Sequence, residues 1–90
     1  YGEVTFGNLI GAIRLSEDWS QSEMAERLEL SGGAPLVSMY ESGKRIPTPE
    51  KAAEIAQKLG RPEIRFIELV VKDRLRELGY KCDIKLTESA

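Results

Sequence analysis

Few side chains in this chain are suited to chemistry, and their spacing narrows what they can do. Two carboxylate pairs, Glu17-Asp18 and Glu50 with Glu54, are the right type for acid–base work. Neither comes with an apolar cleft or a metal-ligand spacing that would tune it for that task. The chain has no His, which removes the commonest general base and every Ser/His or Cys/His nucleophile pair. Its one Cys, Cys82, can neither close a disulfide within the chain nor complete a zinc ligand set. These types exclude an enzyme, a metal site and a bound cofactor as expectations. What remains is cationic. Lys44-Arg45 directly follows Gly43 and gives a local charge of +2, the kind of cluster that attracts phosphate.

That attraction has to be local, because the chain as a whole carries a net charge of −2. Residues 20–42 set Arg27 against Glu23, Glu26, Glu29 and Glu41, a sum of −3. Residues 61–79 carry five cations against four carboxylates, a sum of +1. The 90 residues make one domain, with the thin stability margin of a short chain. Apolar residues at 41% and charged residues at 31% give an ordinary globular profile. No apolar run approaches the roughly 20 residues that span a bilayer, and the N-terminus lacks a basic-then-apolar signal pattern. With a lone Cys, this points to a reducing, cytoplasmic setting. A first residue of Tyr rather than Met suggests a fragment.

Five helical patterns position these groups. Thr5 caps the first, in which Phe6, Leu9, Ile10 and Ile13 recur on one face before the pattern fades near Ser16-Glu17-Asp18. Ser20 and Glu23 form a capping box for the second, with Trp19 placed to staple against Met24. Met24, Ala25 and Leu28 make its buried side. Ser31-Gly32-Gly33 breaks the chain, and Pro35 suits the first position of a third helix that ends at Gly43. Thr48 and Pro49 open a fourth helix, closed by Gly60. Pro62 opens the fifth and longest, in which Ile64, Ile67, Val71, Leu75 and Leu78 lie along one side with Phe66 and Val70 close by, ending at Gly79. Tyr80, Cys82, Ile84 and Leu86 then alternate with polar residues, the period of a β-strand. A lone strand offers an open edge to a second chain, so residues 80–90 read as a tail for dimerisation after a domain of residues 1–79.

Two short helices joined by a turn, with a third behind them, have the layout of a helix-turn-helix. In that layout the second of the pair lies in the DNA major groove. The residues carry a resemblance as well as a layout: Trp19-Ser20-Gln21 and Ala25, then Leu28, Leu30 and Ser31, then Val37-Ser38, Tyr40-Glu41, Gly43-Lys44-Arg45 and Pro47, then Ile55-Ala56 and Leu59. Over about residues 6–60 the chain resembles the Cro/repressor-type, or XRE-like, helix-turn-helix proteins. The resemblance implies an all-α, five-helix, lambda-repressor-like domain, here with a short C-terminal strand. It implies that Gln21, Lys44 and Arg45 meet phosphates, that Glu41 and Gly43 shape a helix end, and that Ala34, Pro35, Ser38, Met39 and Ser42 face bases. The chain departs from the family pattern in two places. Glu29 stands where the family usually has Gly, and five residues rather than three separate Ser31 from Val37-Ser38. The expectation is that Gly32 and Gly33 take the positive φ that a Glu adopts only at a cost.

The length and the strand-like tail resemble compact antitoxins of the HigA type, which repress their own operon and neutralise a toxin. The resulting expectation is a homodimeric regulator of double-stranded DNA, with a toxin protein as a further partner and no membrane association. The competing reading is a protein-interaction module that keeps the fold without binding DNA, which the acidic 20–42 segment favours.

Overall fold

The first helix starts from a threonine. In the computed structural model, which describes residues 4–80, the Thr5 hydroxyl accepts the Asn8 backbone N–H at 3.0 Å and starts α1, Phe6–Ser16. Phe6, Ile10 and Ile13 are its buried side chains. The helix is followed by Asp18 in the left-handed region at φ 61°, a conformation that Asp tolerates better than most residues. The Ser20 hydroxyl then accepts from Glu23 N at 3.0 Å while the Glu23 carboxylate accepts from Ser20 N at 3.2 Å. This reciprocal box starts α2, Gln21–Arg27, and buries Met24, Ala25 and Leu28. Trp19, placed to staple against Met24, is half-buried and has the Arg27 guanidinium 5.2 Å above its ring.

The turn after α2 corrects two expectations. Glu29 itself takes the left-handed conformation, at φ 54°, as does Gly33 at φ 67°, whereas Gly32 lies at φ −72°. The lengthened turn therefore needs two left-handed residues and does not relieve Glu29. Leu30 N donates to Ala25 O at 2.8 Å across the Glu29 bend, a bond of the kind that closes a helix through a left-handed residue. α3, Gly33–Ser42, also begins earlier than Pro35. Pro35 is its third residue, still within the first turn, where a missing N–H costs nothing. Gly43 caps its end at φ 79°.

The described residues divide into two units, 4–45 and 46–80. In the first, α1 meets α3 with nothing between their backbones at one point. A Cβ on Gly7 would collide with the Tyr40 carbonyl oxygen and lie 2.8 Å from that of Glu41. Beside it, the Phe6 and Tyr40 rings meet edge to face at 5.9 Å.

In the second unit, Thr48 caps α4, Pro49–Leu59, by accepting Lys51 N at 3.2 Å, and left-handed Gly60 ends it. α5, Glu63–Glu77, follows Pro62. Its buried apolar residues are Phe66, Leu69 and Val70. Of the row expected along one side, Ile64, Ile67, Val71 and Leu75 are only partly buried, and Leu78 is 65% exposed. Both rows satisfy a 3.6-residue period, so periodicity alone could not choose between them. Ion pairs run along the charged face of the same helix. Arg65 and Lys72 approach the buried Glu68 at 3.1 and 3.5 Å, and Arg76 pairs with Asp73 at 3.0 Å. Beyond Tyr80, the expected strand of residues 80–86 lies outside the described residues. Tyr80 itself donates its N–H to Leu75 O at 2.9 Å, at the end of α5. The described residues form helices and turns only.

Candidate nucleic-acid interface

The outward side of α3 is a narrow row. Val37 and Tyr40 are buried, and on the opposite side Pro35, Ser38 and Ser42 are exposed at i, i+3 and i+7, with Met39 half-buried next to them. Ala34 is half-buried at the edge of the row. The five residues expected to face bases thus lie together, none of them part of the buried core. The Ser42 hydroxyl donates back to Met39 O at 3.2 Å, so what it presents outward is its lone pairs.

Gln21 is the first residue of α2, directly after the capping box. Its side-chain Nε2 donates to Glu41 Oε1 at 3.4 Å. Glu41 is also gripped by Arg14, whose Nε donates to Oε2 at 2.6 Å and whose Nη2 donates to Oε1 at 3.2 Å. The remaining Arg14 donor, Nη1, reaches Trp19 O at 3.0 Å. The two partners are largely shielded, with side chains 18% and 17% exposed. Hydrogen bonding to Glu41 holds the Arg14 guanidinium above its usual pKa despite the opposing cost of desolvation. The network ties the end of α1, the start of α2 and the end of α3 to one carboxylate. It leaves the second Nε2 hydrogen of Gln21 for an outside acceptor, since an amide nitrogen carries two donors.

Arg14 escaped the sequence reading. It stands 27 residues from Glu41, and the only local hint was a basic residue in the last turn of a helix, where cations are common for another reason. Glu41, expected to shape a helix end, acts instead as the hub of this network.

Lys44 and Arg45 are both exposed. They follow the Gly43 cap, and Arg45 N donates to Met39 O at 3.3 Å, which folds the loop back onto the last turn of α3. Arg45 is close enough to Tyr40 for its charge to favour the phenolate, but burial is the larger effect and raises the Tyr40 pKa above 10.0. Gln21, Ser42, Lys44 and Arg45 therefore cluster around the C-terminal end of α3, whereas Ala34 and Pro35 lie at its start. Arg27, the one cation of residues 20–42, is engaged with Trp19.

Among the described residues no group of His, Cys, Asp and Glu is arranged to hold a metal ion. Among the same residues no helix is long and apolar enough to cross a membrane. A family model described as helix-turn-helix matches residues 10–66, from the middle of α1 into α5. Neither a curated protein nor a solved structure gives a match. With α2 and α3 joined by a short turn, an outward row on α3 free of core packing and a family match over more than half of its length, the chain belongs to the XRE-type helix-turn-helix family of DNA-binding regulatory domains, which is not an enzyme family.

Proposed function

We propose that this chain is a sequence-specific repressor that binds duplex DNA as a homodimer, with α3 of each copy in a major groove and the half-sites about one helical turn apart. Gln21, Lys44 and Arg45 contact phosphates and set the register. Ala34, Pro35, Ser38, Met39 and Ser42 face the bases. The observation that carries this reading is the coincidence of two surfaces: an outward row on α3 that takes no part in the core, and hydrogen-bond donors around its end. Because the chain is acidic overall, its attraction to DNA comes from these few contacts, and its affinity falls with salt in proportion to the cations among them.

The finer role is autoregulation in the cytoplasm as an antitoxin of the HigA type, with a toxin as the second partner. It rests on the compact layout and on the tail of residues 80–90. That tail and the half-exposed stripe of α5 are the proposed dimerisation element. Truncation after Gly79 should halve the particle mass, and an unchanged assembly would remove the tail from this role.

The decisive test measures binding to a duplex from the chain's own upstream region against a scrambled duplex at two salt concentrations. Tight, salt-sensitive binding that prefers the upstream duplex is the expected result. The double change Lys44→Ala/Arg45→Ala should flatten the salt slope by up to about two units for each copy bound. Weak binding with no preference would instead favour a protein-interaction module, the reading to which the −3 charge of residues 20–42 points.

A further inference from the structure

The outward row of α3 lacks the side chains with which major-groove readers usually choose a base. Strong discrimination comes from Arg or Lys on guanine and from Asn or Gln on adenine, each pairing with two atoms of the base edge. Pro35, Ser38 and Ser42 are exposed and Met39 and Ala34 half-buried, and none carries an amide, ammonium or guanidinium. The Ser42 hydroxyl already donates to Met39 O. The row therefore presents a pyrrolidine ring, a thioether arm, a methyl group and one adaptable hydroxyl, that of Ser38.

Only one base edge in the major groove offers an apolar group, the C5-methyl of thymine. Guanine and cytosine would place acceptors or an amino group against Pro35 and Met39 with no partner, which is costly once water is excluded. Resting on the DNA-binding reading above, we infer that this chain selects its site through thymine methyl groups. Pro35 and Met39 are the specificity-determining residues, and Ser38 supplies the single flexible hydrogen bond. The polar groups at the end of α3 set the register but leave the choice of base to apolar contact.

Thymine and uracil present the same hydrogen-bonding atoms and differ in that methyl group alone, which makes the inference testable. The full chain is used to select from duplexes with a random centre of about 20 base pairs, long enough for two half-sites. The tightest duplex is then remade with uracil in place of every thymine, and the two forms are compared by fluorescence anisotropy at two salt concentrations. The expected result is A·T pairs at fixed positions in each half-site and about fourfold weaker binding for each methyl that a side chain covers, with the salt slope unchanged. Met39→Ala and Pro35→Ala should each bind the thymine duplex less tightly and lose part of the penalty for uracil. Pro35 is exposed, so its variant carries the test even if Met39→Ala fails to fold. Equal affinity for the two forms, or selected half-sites dominated by G·C pairs, with the salt slope intact, would overturn the thymine inference and leave DNA binding standing. No salt-dependent binding to any duplex would overturn both.

Discussion

Residues 4–45 and 46–80 are both helical, yet their ion pairs differ in reach. In the second stretch the described ion pairs all join residues three or four apart on one helix: Glu54 with Lys51 and Lys58, Glu68 with Arg65 and Lys72, Asp73 with Arg76, and Glu77 with Arg74. In the first stretch the decisive contacts are remote in sequence. Arg14 grips Glu41, Gly7 lies against the carbonyls of Tyr40 and Glu41, and Phe6 meets Tyr40. Local pairs form in any helix of suitable sequence and are each worth a few tenths of a kcal/mol. Remote pairs form only when the tertiary arrangement is right. The candidate reading surface thus belongs to the stretch whose ion pair joins residues far apart in sequence.

Substitutions break or sharpen this contrast. The largest effect is expected from Gly7→Ala, because backbone rather than a movable side chain occupies the space a Cβ needs. Overpacking of this kind should cost about 3 kcal/mol, read as a drop in the urea midpoint, and should weaken DNA binding by displacing α3. A methyl at Gly60, where a Cβ would meet nothing, should cost only the strain of its positive φ, about 1 kcal/mol. If Gly7→Ala were as mild, α1 and α3 would have room to move apart.

Next comes Glu41→Gln. It leaves the shielded Arg14 facing a neutral amide, and should cost about 2 kcal/mol. Its counterpart is Glu54→Gln. Lys58 and Lys51 hold the Glu54 carboxyl below its usual pKa, but the pair is solvent-screened, so no measurable change in thermal midpoint is expected. A depressed carboxylate pKa stabilises above the unfolded value, and that contribution fades as the pH falls through the folded value. Any acid sensitivity lost in Glu54→Gln should therefore lie below about pH 4.

A smaller effect, of opposite sign, is expected from Glu29→Gly. It removes a side chain from a left-handed residue and should raise stability by about 0.5 kcal/mol, the relief of strain less the added freedom of the unfolded chain. The smallest is an alkaline effect. Burial raises the folded-state pKa of Tyr40 above its unfolded value, so its contribution is intact below about pH 10 and is lost as the pH rises through the folded value. Tyr40→Phe should flatten the decline in stability measured above that pH.

The same contrast explains what could be read before the structure. The starts at Thr5, Ser20-Glu23 and Thr48-Pro49 and the stops at Gly43 and Gly60 were legible, because a cap is a transaction among neighbours in sequence. The outward row of α3 followed from the spacing of Val37 and Tyr40 together with the family pattern. The Arg14–Glu41–Gln21 network was not legible, because no local pattern marks which carboxylate a distant arginine will meet. Which side of α5 is buried was not legible, because its sequence holds two apolar rows and burial depends on what packs against the helix. The start of α3 was placed too late because Pro35 marked a permitted helical position rather than the first one, while Gly33 had already made the turn.

Trp19 is the only tryptophan in the chain, and it sits just before Gln21 with a guanidinium over its ring. Its emission therefore comes from the corner of the molecule where α1, α2 and the hub carboxylate converge. Arrival of a phosphate at Gln21, or slippage of Arg27 from the indole, would change that light directly, so DNA titrations and unfolding of this unit can be followed optically with no label attached.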